Sequence, residues 1–402
     1  MKTLTSEVVV AGHICLDVIP TFYTGDALPK PGQLSIVGPS ILSAGGPVSN
    51  TGLALHHLGI ETQLMGKVGN DAFGRVVLDL IKSRNLKLAD GIIKAPGETT
   101  SYSVVLSLPN RDRSFLHCPG ANDTFCSVDL KIDRISHTRL FHFGYPPLMA
   151  QMYTKDGLEL AEIFRKVKHL GVTTSLDMVM IDPHSPAGQA NWEAILHNVL
   201  PYVDIFLPSI EEILLLLGRS ADKDLWVEQS SRGDRLRITF IRELAEQLLG
   251  WGTKVIVLKM GQFGIYMRTA KLEYLTDFGA AMPSNIEAWA NRELWSPIFQ
   301  IDRFGGTTGA GDTAIAGFIA ALLRDKSPEE TLMFACATGA CNVEASDALS
   351  GLKTWDETWA RIAGGWARIP LSFDEPGWQL DSSTQLWLGS FDNKNLTKME
   401  ET

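Results

Sequence analysis

Asp312 is the residue whose type and position point most directly to chemistry. It stands in GGTTGAGDTAIAGF, residues 305–318, behind four glycines and ahead of a run that is apolar nearly all round. Such a run forms a buried helix. The first amides of a helix have no partner inside it, and the helix dipole leaves partial positive charge at that end. Gly309, Ala310 and Gly311 carry little or no side chain, so an oxyanion can approach their amides closely. This predicts an anion hole. A carboxylate beside it is misplaced as a phosphate ligand but well placed as a general base. A hydroxyl that attacks a γ-phosphate loses its proton as the bond forms, and Asp312 can accept it. Asp is also a favoured helix cap, and the segment alone leaves that alternative open. The standard phosphate loops fit poorly. A Walker loop requires Lys where Asp312 stands, and a dinucleotide loop belongs after the first strand, where this chain reads AGHICLD.

These residues need elements to position them. Residues 7–16 read as a buried strand, and residues 45–59 as a Gly turn feeding a helix. Residues 61–69 read as a strand and 71–85 as a helix. Farther on, 139–145, 172–178, 203–208 and 254–261 read as strands, with helical spacing at Leu160, Phe164 and Val167. Strands alternating with helices predict an α/β protein with a mostly parallel sheet covered on both faces. Two segments break the rhythm. Residues 17–44 are rich in Pro and Gly, and residues 99–118 read as a hairpin turned by PNRDR. In that hairpin Tyr102, Val104, Leu106 and Leu108 share one face, with Ser101, Ser103 and Ser107 mostly opposite. A two-faced strand of this kind suits a small sheet packed over something, and both segments read as a lid. Ser327, Pro328 and Glu330 mark a capping box at a late helix. Residues 219–236 read as an exposed connection, 279–300 show no clear pattern, and 359–402 read as an appendage.

The chain has 402 residues and a net charge of −10, which argues against non-specific binding of DNA or RNA. Its five cysteines, Cys15, Cys118, Cys126, Cys336 and Cys341, form no CxxC pair and read as thiols in a reducing compartment. No stretch is long enough to span a bilayer and no cleavage signature follows the first strand. The expectation is a cytoplasmic protein.

The segment TTGAGDTAIAGF resembles the C-terminal signature of the PfkB, or ribokinase-like, carbohydrate kinases, and SAGGPVSNTGLAL, residues 43–55, resembles their N-terminal signature. Both lie in the right order, within a resemblance covering residues 7–358. It implies a three-layer α/β/α fold with a small β lid, and phosphoryl transfer from ATP, with Mg²⁺, to a hydroxymethyl group of a sugar or nucleoside. It implies Asp312 as base and Gly309, Ala310 and Gly311 as anion hole. Asp17 would grip sugar hydroxyls, Gly45, Gly46 and Asn50 would form the second wall of the sugar pocket, and Asn122 in PGAND would also reach substrate. LKMGQFG, residues 258–264, is similar to the strand and turn along the nucleotide, with Lys259, Gly261 and Gly264 at the phosphates. Tyr145 falls at a varied substrate-side position, and Cys336 where relatives often carry an Asn near the adenine. The resemblance further implies a homodimer formed through the lid.

The sequence also departs from the family pattern. Ser209 replaces the Asn of an Asn-x-x-Glu motif, while Glu212 is retained as a group for water-mediated Mg²⁺. Gly306 stands where many members keep an acid that binds a monovalent cation, and the nearest acid, Asp302, is followed by Arg303. A K⁺ site of the usual kind is therefore not expected. Within the family a nucleoside kinase remains the alternative, with Tyr102, Phe115 or Tyr145 available to stack on a base. A non-catalytic sugar-binding regulator would be marked by loss of the base, and Asp312 is intact.

Overall fold

The computed structural model describes residues 6–23, 28–108, 113–220, 222, 226–228 and 235–394. Its centre is an eleven-stranded sheet. From Val255–Lys259 the strands Ile205–Phe206, Thr173–Leu176, Leu140–Gly144, Val8–Gly12, Thr62–Gly69 and Ile92–Ala95 follow in order, each parallel to the next. Every residue of Val8–Gly12 and Leu140–Gly144 is buried, as a parallel strand between two helix layers must be. One layer contains the helices Pro47–His57, Ala310–Leu323 and Pro328–Val343. The other contains Leu158–Lys168, Trp192–Val199, Ile210–Leu216 and Ile238–Gly250. This is the expected α/β/α arrangement.

The two segments that break the rhythm form a second sheet, ordered Ser40–Gly45, Cys15–Pro20, Tyr102–Leu106, Ser114–Cys118. Residues 24–27 and most of the expected turn, 109–112, lie outside the described residues. The alternation along Tyr102–Leu106 is the expected one, and its polar face is the inward one. Ser103 and Val105 are buried, whereas Tyr102, Val104 and Leu106 are half-buried. The inward serine meets polar groups of the site, so burying it leaves no hydrogen bond unmade.

Residues 279–300, unassigned from sequence, contain the fully buried strand Glu293–Ser296. A glutamate in the first position of a four-residue strand hides the pattern, and its charge is met by Arg242 at 2.7 Å. The tail from residue 359 is not an appendage. Its strands Gln379–Leu380 and Trp387–Leu388 extend the antiparallel edge of the main sheet beyond Glu293–Ser296. Arg292 joins Asp392 at 3.0 Å and Glu329 at 2.6 Å, tying the tail to the Pro328–Val343 helix. Residues 395–402 lie outside the described residues. The connection 219–236 includes a short hairpin, Val227–Glu228 with Arg235–Leu236, and buries Trp226 and Leu236, so it is not wholly exposed. The rest of it, residues 221, 223–225 and 229–234, is outside the described residues. All five cysteines are free, and no described helix is long and apolar enough to cross a membrane.

Candidate functional site

The loop before the Ala310–Leu323 helix turns at Gly309, whose φ is +73°. A Cβ there would lie 2.5 Å from the Ala348 carbonyl oxygen, so both conformation and space demand glycine. The Ala310 amide closes a turn by donating to Thr307 O at 3.1 Å, and Thr313 N donates to Gly309 O at 2.8 Å. Among the described residues the amides of Gly309, Gly311 and Asp312 donate to no acceptor. The free donors of the expected anion hole are thus those of Gly309, Gly311 and Asp312, while that of Ala310 is spent within the loop.

Asp312 is 3% exposed and surrounded by donors. Asn50 Nδ2 donates to Oδ2 at 3.0 Å, Thr51 Oγ1 to Oδ1 at 3.2 Å, and the Tyr145 hydroxyl lies 3.1 and 3.0 Å from the two oxygens. Burial pushes the carboxyl above its usual range, against the pull of Asn50, Lys259, Tyr145 and Thr51. A raised carboxylate is a stronger base. A single phenolic proton serves one oxygen at a time, so the other keeps a lone pair for a substrate hydroxyl. Asn50 and Thr51 share the Pro47–His57 helix, so Asn50 touches Asp312 itself. Thr51 gave no sequence signal beyond its adjacency to Asn50. Tyr145 follows the strand Leu140–Gly144 in the left-handed region, at φ 61° and ψ 43°, a strained position for a bulky residue. That turn delivers its hydroxyl to Asp312.

The Gly-Gly turn makes room for two side chains. A Cβ on Gly46, whose φ is +80°, would lie 2.6 Å from His13 Nδ1, and one on Gly45 would collide with the Asp17 carboxylate. Asp17 accepts from Cys15 Sγ at 3.4 Å and lies opposite Ser103 on the paired strand. Burial raises its pKa to about 6, with the Asp312 charge adding to the rise. His13 Nε2 lies 3.4 Å from His117 Nε2, and His117 Nδ1 lies 3.0 Å from Ser103 Oγ. Burial holds both imidazoles below their usual range. His13, His117 and Ser103 therefore stand with Asp17 at the lid, and only Asp17 was picked out from sequence. Asn122 does not face this pocket. It is 0% exposed, and its amide donates to Ile14 O at 3.0 Å and accepts from Ile14 N at 3.2 Å. It pins the backbone between His13 and Cys15.

Lys259 Nζ lies 2.6 Å from Asp177 Oδ1 and 3.8 Å from Glu212 Oε2, beside Gly311. Burial opposes its charge, but Asp177 and Glu212 outweigh it and hold the ammonium above its usual range. Asp177, at the end of the strand Thr173–Leu176, was missed because a strand-end Asp ordinarily signals a turn. Among the described residues its Oδ2 has no hydrogen-bond partner. Glu212 and Ser209 form a capping box: Ser209 N donates to Glu212 Oε2 at 2.6 Å and Glu212 N to Ser209 Oγ at 3.2 Å. Ser209 therefore acts as the cap of Ile210–Leu216 in place of the family's Asn. No group of three or more possible metal ligands gathers among the described residues. Mg²⁺ takes one or two carboxylates and completes its shell with phosphate and water; Glu211, Glu212 and Asp312 are the carboxylates that line the cleft.

One cleft of about 780 Å³ joins Asp312, the loop before it and Lys259. Tyr145, Glu212, Lys259, Gly309, Gly311 and Asp312 line it, as do Gly261 and Gly264, and its apolar portion includes Ile298, Phe299 and Cys336. Cys336 is buried and points its thiol at Pro297 O, 3.4 Å away. Near Gly306 the charge is reversed from the family pattern: a Cβ there would lie 3.2 Å from Arg113 Nη2, which donates to Ser346 O at 2.7 Å. Asp302 is engaged by Arg361 at 3.0 Å.

A sheet between helix layers, a β lid, and a buried carboxylate at an amide-lined helix start define a kinase of small molecules. The chain belongs to the pfkB family of carbohydrate kinases, whose model matches residues 5–355. It is 23% identical over 367 residues to fructokinase-2 of Solanum habrochaites, covering 89% of this chain and 96% of that one. The ribokinase of Arabidopsis thaliana in complex with ribose and ATP has the same fold, with a TM-score of 0.67 at 20% identity over 88% of this chain and 98% of that one. The fructokinase of Xylella fastidiosa with bound ATP gives 0.66 at 19% identity over 89% and 98%.

Proposed function

We propose that this chain transfers the γ-phosphoryl group of ATP to a hydroxymethyl group of a sugar, with Asp312 as general base. The observation that carries the reading is the placement of a buried, donor-surrounded carboxylate in the same cleft as the free Gly309, Gly311 and Asp312 amides. The substrate hydroxyl attacks the γ-phosphorus, its proton passes to an Asp312 oxygen, and ADP leaves. The amides and Lys259 meet the charge on the transferring group. Mg²⁺, when bound, neutralises phosphate charge, and Glu212 would hold it through water. Asp17 holds the sugar hydroxyls, with His13 and Ser103 beside it. The test is ATP consumption across sugars, sugar acids and nucleosides, beginning with fructose and ribose because the relatives are fructokinases and a ribokinase, with the Asp312→Asn protein as blank. Consumption equal to the blank with every acceptor would overturn the reading.

A sugar is put before a nucleoside because the chain's family is one of carbohydrate kinases. Of the three candidate aromatics, Tyr145 hydrogen-bonds Asp312 through its hydroxyl, Tyr102 packs edge-on to Phe73 at 5.4 Å, and Phe115 is 58% exposed.

Asp17→Asn should raise the KM for sugar by at least tenfold and leave that for ATP within about twofold. An equal rise in both would remove Asp17 from the sugar pocket. In the wild type, kcat/KM for sugar should fall as pH drops through about 6, where Asp17 takes up its proton. Stability runs the other way. A carboxyl with a raised pKa favours the folded state while protonated, so this contribution is lost as pH rises from about 4 to 6.

Leu42 and Leu116, on the face of Val104, and Ile41 and Phe115, on the face of Val105, are apolar and exposed at the lid's two edge strands, which supports a homodimer formed there. Wild type should sediment as a dimer and Leu116→Glu as a monomer; a monomeric wild type would end this assignment.

A further inference from the structure

The C-terminal segment lies outside the residues that match the family, 5–355, yet it reaches the cleft. Ile369 lines the cleft directly. Its amide donates to Ile298 O at 2.9 Å and Gln300 N donates to Ala367 O at 2.8 Å, so residues 367–369 run antiparallel to 298–300. Within that pairing Phe299, itself a lining residue, is 1% exposed and stacked on Trp366 with centroids 4.4 Å apart. The Arg368 guanidinium sits 4.1 Å from the centroid of the same ring. It donates to Ser296 Oγ at 2.8 Å and Pro297 O at 3.0 Å. These partners are all neutral, so Arg368 braces the wall rather than forming an ion pair. The result is a rigid apolar surface ending in Ile369, which is 39% exposed at the cleft, with Phe304 also lining it at 70% exposure.

We propose that the C-terminal segment is part of the nucleotide site, with Ile369 forming a wall against the purine base of ATP. This rests on reading the cleft as that of ATP. The occupant follows from what the cleft joins. Its polar portion has free amides and an ammonium suited to phosphates, and its apolar portion has flat and branched surfaces suited to a heterocycle. The phosphate-binding groups come from the family core, whereas part of the base-binding wall comes from the tail. Affinity for the base is therefore set in part by residues that the family signatures do not contain.

Truncating the tail would remove strands of the main sheet, so point variants of the full chain make the test. Wild type, Ile369→Ala and Ile369→Leu are titrated with ADP by calorimetry, and the unfolding temperature of each unliganded protein is measured. Ile369→Ala should bind ADP about five- to twentyfold more weakly, from the loss of apolar contact, with an unchanged unfolding temperature. Ile369→Leu should bind like wild type, because the apolar volume is kept. Equal ADP affinity in wild type and Ile369→Ala would overturn the inference and leave the kinase reading standing. So would weakened binding accompanied by a matching fall in the unliganded unfolding temperature, since Ile369 would then act through the fold. Absence of ADP binding by wild type would overturn the kinase reading itself.

Discussion

Asp312→Asn should lower kcat by at least about a hundredfold while changing the KM for sugar and for ATP little. The substituted amide keeps the size of the carboxyl; its one carbonyl oxygen can still accept from Asn50, and its NH2 then faces the Thr51 hydroxyl, which can rotate to accept, in place of the 3.0 and 3.2 Å bonds that the two residues donate in wild type. It cannot accept a proton from an attacking hydroxyl. The Tyr145 hydroxyl can turn to the remaining carbonyl oxygen, so the strained turn that carries it need not move. Loss of rate without loss of binding separates a base from a cap. Were Asp312 only a helix cap, Asn would serve equally well, and turnover like wild type would remove the base assignment. Loss of ADP binding alongside rate would instead place Asp312 in the anion hole.

Lys259→Met should be nearly as severe, for two separable reasons. The ammonium is the buried cation beside Gly311, and its removal should cost roughly a hundredfold in kcat through lost stabilisation of the transferring phosphoryl. It also leaves Asp177, 1% exposed, and the nearby Glu212 without their counter-ion. Breaking a buried pair from one side costs about 3–5 kcal/mol, and Asp177 would respond by holding a proton. Adding Asp177→Asn to Lys259→Met should restore most of the stability and none of the rate. Urea unfolding and turnover assays on the two variants check both halves. If the double variant recovers rate as well, Lys259 serves the fold and not the phosphoryl group.

The site was legible wherever a local rule governs it. Glycine followed by an apolar run states a helix start with exposed amides, and that information lies within a few residues. The Gly45–Gly46 turn was equally plain, although its use, making room for Asp17 and His13, appears only with the lid in place. Asn122 was misplaced because a polar residue in a Gly-rich turn resembles a ligand until its partner is known, and that partner, Ile14, is 108 residues away. The strand Glu293–Ser296 escaped because its glutamate is balanced by Arg242, 51 residues earlier. The tail escaped because strands of two residues have no period to read.

By itself the sequence determined the α/β alternation, the segments that break it, the helix start at residues 309–312 and the charge of its working group. Each of these follows from periodicity or turn chemistry over one or two turns of chain. Only the tertiary structure decided what surrounds that group. Asn50, Thr51 and Tyr145 reach Asp312 across 262, 261 and 167 residues, and Ile369 reaches the cleft from beyond the family core. Contacts of that range depend on how sheet and helices stack, and burial between those layers is what raises the Asp312 carboxyl above its usual range.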